Sequence, residues 1–150
     1  MMPKSRKQDT VNHLRLKAEL ENLPGFLTFV STRAQQLGFA EKQLLEIELV
    51  LEEILVNIIK YAYSAERTQA GWIDLNLECK PDDRLHLEIR DRGAPFNPLE
   101  QADPDLEAGL MERPIGGLGI YFIKKLADNL SWHRENNENC LNITFAQCHV

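Results

Sequence analysis

The stretch that most constrains the fold is Glu41 to about Tyr63, EKQLLEIELVLEEILVNIIKYAY, in which apolar residues recur every three or four positions. Leu44, Ile47, Leu51, Ile54 or Leu55, Ile58 and Ala62 fall on one side of a 3.6-residue repeat, the buried face of a long amphipathic helix. A second stripe carries Glu46, Glu53, Asn57 and Lys60 in a narrow arc rotated away from the apolar one. Carboxylate, carboxamide and ammonium groups one turn apart can form a ligand-facing edge. Charged helix residues are more often a solvated face, and the helix alone favours that reading.

Composition narrows the classes. A chain of 150 residues suits one domain and can bury roughly 70% of its unfolded surface. The net charge of −6 argues against direct nucleic-acid binding, which needs a basic footprint on the phosphate backbone. It leaves room for a small anion held by backbone N–H groups, which carry no formal charge. Cys79, Cys140 and Cys148 are odd in number and lack metal-ligand spacing, so reduced, packed thiols are expected. No apolar run is long enough for a membrane span, and the basic start MMPKSRKQD has no apolar segment after it. The expectation is a soluble cytoplasmic protein without a membrane partner.

In chain order, residues 1–9 are expected to be a disordered tail and 10–150 one domain. Thr10 to Lys17 is a weak strand candidate for a sheet edge, with His13 a surface histidine. Glu19 to Leu37 reads as a helix interrupted early by Pro24-Gly25, with Phe26, Phe29, Val30, Ala34 and Leu37 on its apolar face and Gly38 as its stop. After a polar connection at 64–70, Ile73, Leu75, Leu77 and Cys79 share one face of a strand. Lys80 to Arg84 is a turn, and Leu85, Leu87 and Ile89 share one face of the next strand. Asp91 is the next residue in that phase. If the strand persists, its carboxylate points inward, at a cost of several kcal/mol (order of magnitude) unless a donor meets it. If the strand has ended, Asp91 simply opens the turn-rich run Asp91-Arg92-Gly93-Ala94-Pro95-Phe96.

Residues 97–115 have little periodicity, with Pro98, Pro104, Gly109 and Pro114, and five acids against one arginine, Arg113. A connection of this length is expected to be a lid. Gly116-Gly117-Leu118-Gly119 then opens into a helical run through Ile120, Ile123, Lys124 and Ala127. Glycines at the positive end of a helix can cradle a phosphate, although they also serve simple turns. Leu130–Arg134 and Cys140–Ala146 read as a final strand pair about a polar turn, Glu135–Asn139. Thr144, out of phase with Leu141, Ile143 and Phe145, is expected to face away from the core.

The ordered set is more specific than its parts. Glu53-x-x-x-Asn57-x-x-Lys60-Tyr61, then Asp91-x-Gly93, then Gly117-Leu118-Gly119 resembles the N box and two glycine boxes of the histidine-kinase-like ATPases, the superfamily of gyrase, the heat-shock chaperone ATPase, sensor histidine kinases and the mismatch-repair ATPase. The similarity runs from about Thr10 to Ala146. It implies an α+β fold, the Bergerat ATP-binding fold: a two-layer α/β sandwich with helices on one face of a mixed, mostly antiparallel sheet. Glu53, the run Asn57-Ile58-Ile59-Lys60-Tyr61-Ala62-Tyr63 and the run from Asp91 to Pro98 are most similar to the anti-sigma-factor serine kinases, which regulate transcription by partner switching. Tyr61 departs from the histidine frequent in that branch, and the last strand lacks the Gly-Thr pair that would mark an adenine-side threonine.

The resemblance implies ATP and Mg²⁺ as cofactors. Asn57 would hold the metal, and Glu53 would act as general base. Lys60 and Arg113 would approach the phosphates. Asp91 would accept from the adenine amino group, Gly93 would allow close approach, and Gly116, Gly117, Leu118 and Gly119 would present backbone N–H groups to the phosphates. The implied activity is phosphorylation of a STAS-domain anti-sigma antagonist on serine, with a sigma factor as the alternate partner and a homodimer as an implied assembly. The competing expectation is a nucleotide-dependent binding module with little or no phosphotransfer.

Overall fold

The structure, a computed structural model, describes residues 12–63, 71–81, 83–100, 123–124 and 126–147. Its elements are β1 (Asn12–Lys17), α1 (Leu23–Gln36), α2 (Glu41–Asn57), β2 (Trp72–Cys79), β3 (Leu85–Asp91), β4 (Ala127–Glu135) and β5 (Glu138–Phe145). A 3-10 turn, Leu20–Asn22, leads into α1, and another lies at Pro98–Glu100. The expected tail at 1–9, the connection at 64–70 and the lid beyond residue 100 lie outside the described residues.

The strands form one five-stranded sheet in the order β1-β2-β3-β5-β4. Every described pairing is antiparallel, in keeping with the mostly antiparallel sheet expected. Two of these pairings, β2–β3 and β4–β5, join strands that follow one another along the chain, which brings them together antiparallel. The two-layer sandwich itself is as expected. Alternate strand residues, among them Leu75, Leu87, Ile89 and Ile143, are buried in one cluster with Phe26 and Val30 of α1 and Ile47, Leu51, Ile54 and Leu55 of α2. The opposite sheet face is polar. There Thr144 Oγ1 sits 3.1 Å from His86 Nδ1, as its phase indicated. β1 occupies the expected edge, and His13 is exposed against Asp74 at 2.8 Å.

Four expectations change. Pro24 does not interrupt α1. It lies in the first turn, where a missing N–H costs nothing because those groups have no intrahelical partner. The long helix is α-helical only to Asn57 and then continues as a π turn over Ile58–Ala62, marked by the 3.2 Å bond from Tyr63 N–H to the Ile58 carbonyl. The turn expected at Glu135–Asn139 contracts to Asn136-Asn137, both at positive φ (53° and 64°), the two-residue hairpin loop that asparagine tolerates. Ala127, expected in a helix, begins β4. A register irregularity between Ala127 and Asn129 breaks the alternation that would otherwise have marked the strand.

Gly38 ends α1 at φ 97° as expected. No helix among the described residues is long and apolar enough to cross a membrane.

Candidate functional site

The inner face of β3 runs Leu85, Leu87, Ile89 and then Asp91, which is still in the strand and only 3% exposed. Of the two readings of Asp91, the inward carboxylate is the one observed. Its donors are in place. Oδ1 accepts from the Gly93 N–H at 2.9 Å and from Asn139 Nδ2 at 2.8 Å. Burial pushes the Asp91 carboxyl above its usual range, and the Asn139 and Gly93 hydrogen bonds and nearby Arg134 offset part of that rise.

Asn139 continues the inner phase of Leu141, Ile143 and Phe145 and pairs directly with Asp91 across the ladder. It clips the following loop at both ends of its amide. Nδ2 also donates to the Ala94 carbonyl at 2.9 Å, and Oδ1 accepts from Phe96 N–H at 3.2 Å and from Arg134 Nη1 at 3.0 Å. The same Arg134 nitrogen donates to the Gly93 carbonyl at 3.1 Å.

The end of α2 is fastened to this loop. Ala94 N–H donates to the Ala62 carbonyl at 2.8 Å. A Cβ at Gly93 would stand 2.4 Å from that carbonyl oxygen, so in this structure glycine is required by packing of the loop on the π turn. The Tyr63 hydroxyl accepts from Arg92 N–H and donates to the Trp72 carbonyl, both at 2.7 Å. Its ring lies where a Cβ of Gly71 would be, only 2.1 Å from the nearest ring atom. Tyr61 and Phe96 add a tilted ring contact at 5.7 Å. The helix carrying the polar stripe therefore ends against the loop that follows Asp91.

Within the stripe, Asn57 is buried at 7% exposure, and its Nδ2 donates to Glu53 Oε2 at 3.1 Å. The amide is thereby oriented, with Oδ1 as its acceptor. A neutral amide oxygen next to a carboxylate is a hard-oxygen donor set suited to a cation such as Mg²⁺. The second oxygen of Asp91, whose first meets two donors, is suited to an amino group. Lys60 is exposed, one turn beyond Asn57. Arg113, Gly116, Gly117, Leu118 and Gly119 lie outside the described residues. Asn139, Arg134 and Tyr63 are site residues that sequence reasoning did not single out. Only Asn139 carried a signal, its phase with Leu141, Ile143 and Phe145.

A family model described as a histidine kinase-like ATPase domain matches residues 16–145. The serine-protein kinase RsbW of Bacillus mycoides is 27% identical over 101 residues, which cover 65% of this chain and 61% of that protein. The anti-sigma F factor of Anoxybacillus flavithermus is 25% identical over 126 residues, 84% of each chain. The chain thus spans 61% of the length of the RsbW relative. Among solved structures, the RsbU and RsbW domains of a Mycobacterium tuberculosis protein superpose with a TM-score of 0.62 at 12% identity, over 92% of this chain and 32% of that one. At that identity the likeness is one of fold.

Proposed function

This chain belongs to the histidine kinase-like ATPase domain family, and we propose that it is an ATP-binding serine kinase of the anti-sigma-factor type. In this reading it phosphorylates a STAS-domain antagonist and alternately holds a sigma factor. The observation that carries the proposal is the Asn57–Glu53 hydrogen bond of 3.1 Å, on the helix whose end packs against the loop of the buried Asp91. One contact orients both a cation ligand and a carboxylate base.

Asn57 Oδ1 would hold Mg²⁺, while its Nδ2 keeps the Glu53 carboxylate at the edge of the site. Glu53 would accept the proton of the attacking serine hydroxyl as that oxygen bonds to the γ-phosphorus, while the bond from that phosphorus to the β,γ-bridging oxygen breaks and ADP leaves. Asp91 accepts from the adenine amino group, and Gly93 keeps the loop seated on Ala62. Lys60 and Arg113 supply positive charge to the phosphates, and Gly116, Gly117, Leu118 and Gly119 supply N–H groups. Bound Mg·ATP provides the transferable phosphoryl group. The phosphoserine produced adds negative charge to the antagonist surface, and this acidic chain then releases it and becomes available to the sigma factor.

The test is incubation with γ-labelled ATP, Mg²⁺ and STAS-domain proteins from the same genome. Label on a serine of one of them supports the proposal. Tight ATP binding with no label on any candidate overturns the kinase reading in favour of a nucleotide-dependent binding module.

A further inference from the structure

The outer face of the β4–β5 hairpin, turned away from the helices, gathers a second set of reactive groups. His133 and Cys140 are register partners, and Glu135 follows two residues after His133 on the same face. Their ligand atoms all lie within 4.8 Å of one another, and His133 Nε2 is 3.3 Å from Glu135 Oε1. We propose that His133, Glu135 and Cys140 form a binding site for a zinc-class divalent cation, separate from the Mg²⁺ chemistry of the helical side.

The distances suit that ion. Tetrahedral zinc with nitrogen and oxygen ligands at about 2.0–2.1 Å and sulfur at about 2.3 Å sets N···O at roughly 3.3 Å and sulfur to either at roughly 3.6 Å. The N···O separation already has this value, and the thiol closes by at most about 1.2 Å. Thiolate and imidazole select zinc over Mg²⁺ or Ca²⁺.

The surroundings support the set. Arg90 holds the other oxygen of Glu135, Oε2, at 2.9 Å, leaving Oε1 toward His133. Arg90 also pairs with Glu88 at 3.1 Å and Glu138 at 2.9 Å, so its charge is outweighed by neighbouring carboxylates. Cys140 is fully buried beneath them, and a cation bound there would displace the thiol proton. The alternate residues Arg134 and Asn139 point to the other face, where they hold Gly93 and Asp91. A cation at 133, 135 and 140 would clamp the same hairpin end.

The test is titration of the full chain with Co²⁺, read by absorbance. The expected result is a saturable one-to-one thiolate-to-cobalt charge-transfer band with tetrahedral visible bands, displaced by Zn²⁺. It should vanish in Cys140→Ser, persist in Cys79→Ser, and saturate at about tenfold or more higher Co²⁺ in His133→Ala and Glu135→Gln. His133 is exposed, so its variant keeps the test valid if Cys140→Ser fails to fold. Absence of the band in the native chain, its survival in Cys140→Ser, or unchanged affinity in His133→Ala overturns the proposal.

Discussion

Asn139 Nδ2 donates a 2.8 Å hydrogen bond to Asp91 Oδ1, and the two residues face each other as partners across β3 and β5. Both extend an otherwise apolar face by one step, so the inner side of the sheet ends in a polar pair. That pair fixes the carboxylate and, through the other bonds of Asn139, the backbone from Gly93 to Phe96.

Asn139→Leu keeps the branched heavy-atom shape and removes both the donor and the acceptor of the amide. A hydrogen bond to a charged group contributes about 1.5–3 kcal/mol, and the variant should lose that much stability where Asp91 is ionised. Since the Asn139 bond lowers the Asp91 pKa, its loss lets the carboxyl rise further, and the deficit should shrink at acidic pH, where the group is neutral. Urea denaturation at two pH values measures this. An equal deficit at both would show that Asn139 acts through its contacts to Ala94, Phe96 and Arg134 and not through the Asp91 charge.

Asp91→Asn should change the pH dependence of stability with a defined sign. The folded-state pKa is raised above the ordinary 3.8, so between that value and the raised pKa the folded chain binds more protons than the unfolded one. Stability therefore falls as pH rises through this window. The introduced amide does not titrate, so the variant should gain on the native chain across the window. If the amide oxygen keeps the Asn139 and Gly93 donors, the amide nitrogen replaces the second carboxylate oxygen and meets an adenine amino group donor to donor. ATP affinity should fall by about tenfold or more. Parallel stability–pH curves for the two proteins would refute the first part, and unchanged ATP affinity the second.

Asp91 was legible because it stands one alternation beyond Ile89. The same count run back from Leu141 reaches Asn139, but the polar run Glu135–Asn139 masked it, since a two-residue loop hides inside a polar stretch. The helix and its Glu53–Asn57 spacing were legible because side chains four apart share a face whatever the tertiary context. The Tyr63 clasp was not, because its partners are the backbone atoms of Trp72 and Arg92, and backbone atoms have no sequence signature. Pro24 misled for a related reason: its effect depends on whether it falls in a helix's first turn or its interior.

Tyr63→Phe should loosen the site without opening the core. It removes one hydroxyl that serves two backbone groups, Arg92 N–H and the Trp72 carbonyl, each at 2.7 Å. The ring remains, filling the space at Gly71. Leaving such groups unpaired costs about 1–3 kcal/mol. Hydrogen exchange should localise the change to the Arg92 amide and its neighbours. A variant with native stability and native protection at Arg92 would mean that water replaces the hydroxyl.

Glu53→Gln and Asn57→Ala should separate chemistry from binding. In Glu53→Gln the new amide oxygen can still accept from Asn57 Nδ2, so the 3.1 Å contact and the orientation of Asn57 survive, but the side chain no longer takes a proton. Losing a positioned general base costs about 10²–10⁴-fold in rate, so phosphotransfer should fall by that order while Mg·ATP affinity stays within about threefold. Asn57→Ala removes the proposed cation ligand and, with it, the amide that orients the Glu53 carboxylate. Mg²⁺-dependent ATP affinity should then fall together with the rate. Isothermal titration with and without Mg²⁺, paired with single-turnover phosphotransfer, distinguishes the two. If Glu53→Gln transfers phosphate at the native rate, Glu53 is not the base. If Asn57→Ala retains the full Mg²⁺ dependence of ATP binding, the cation is held elsewhere in the chain.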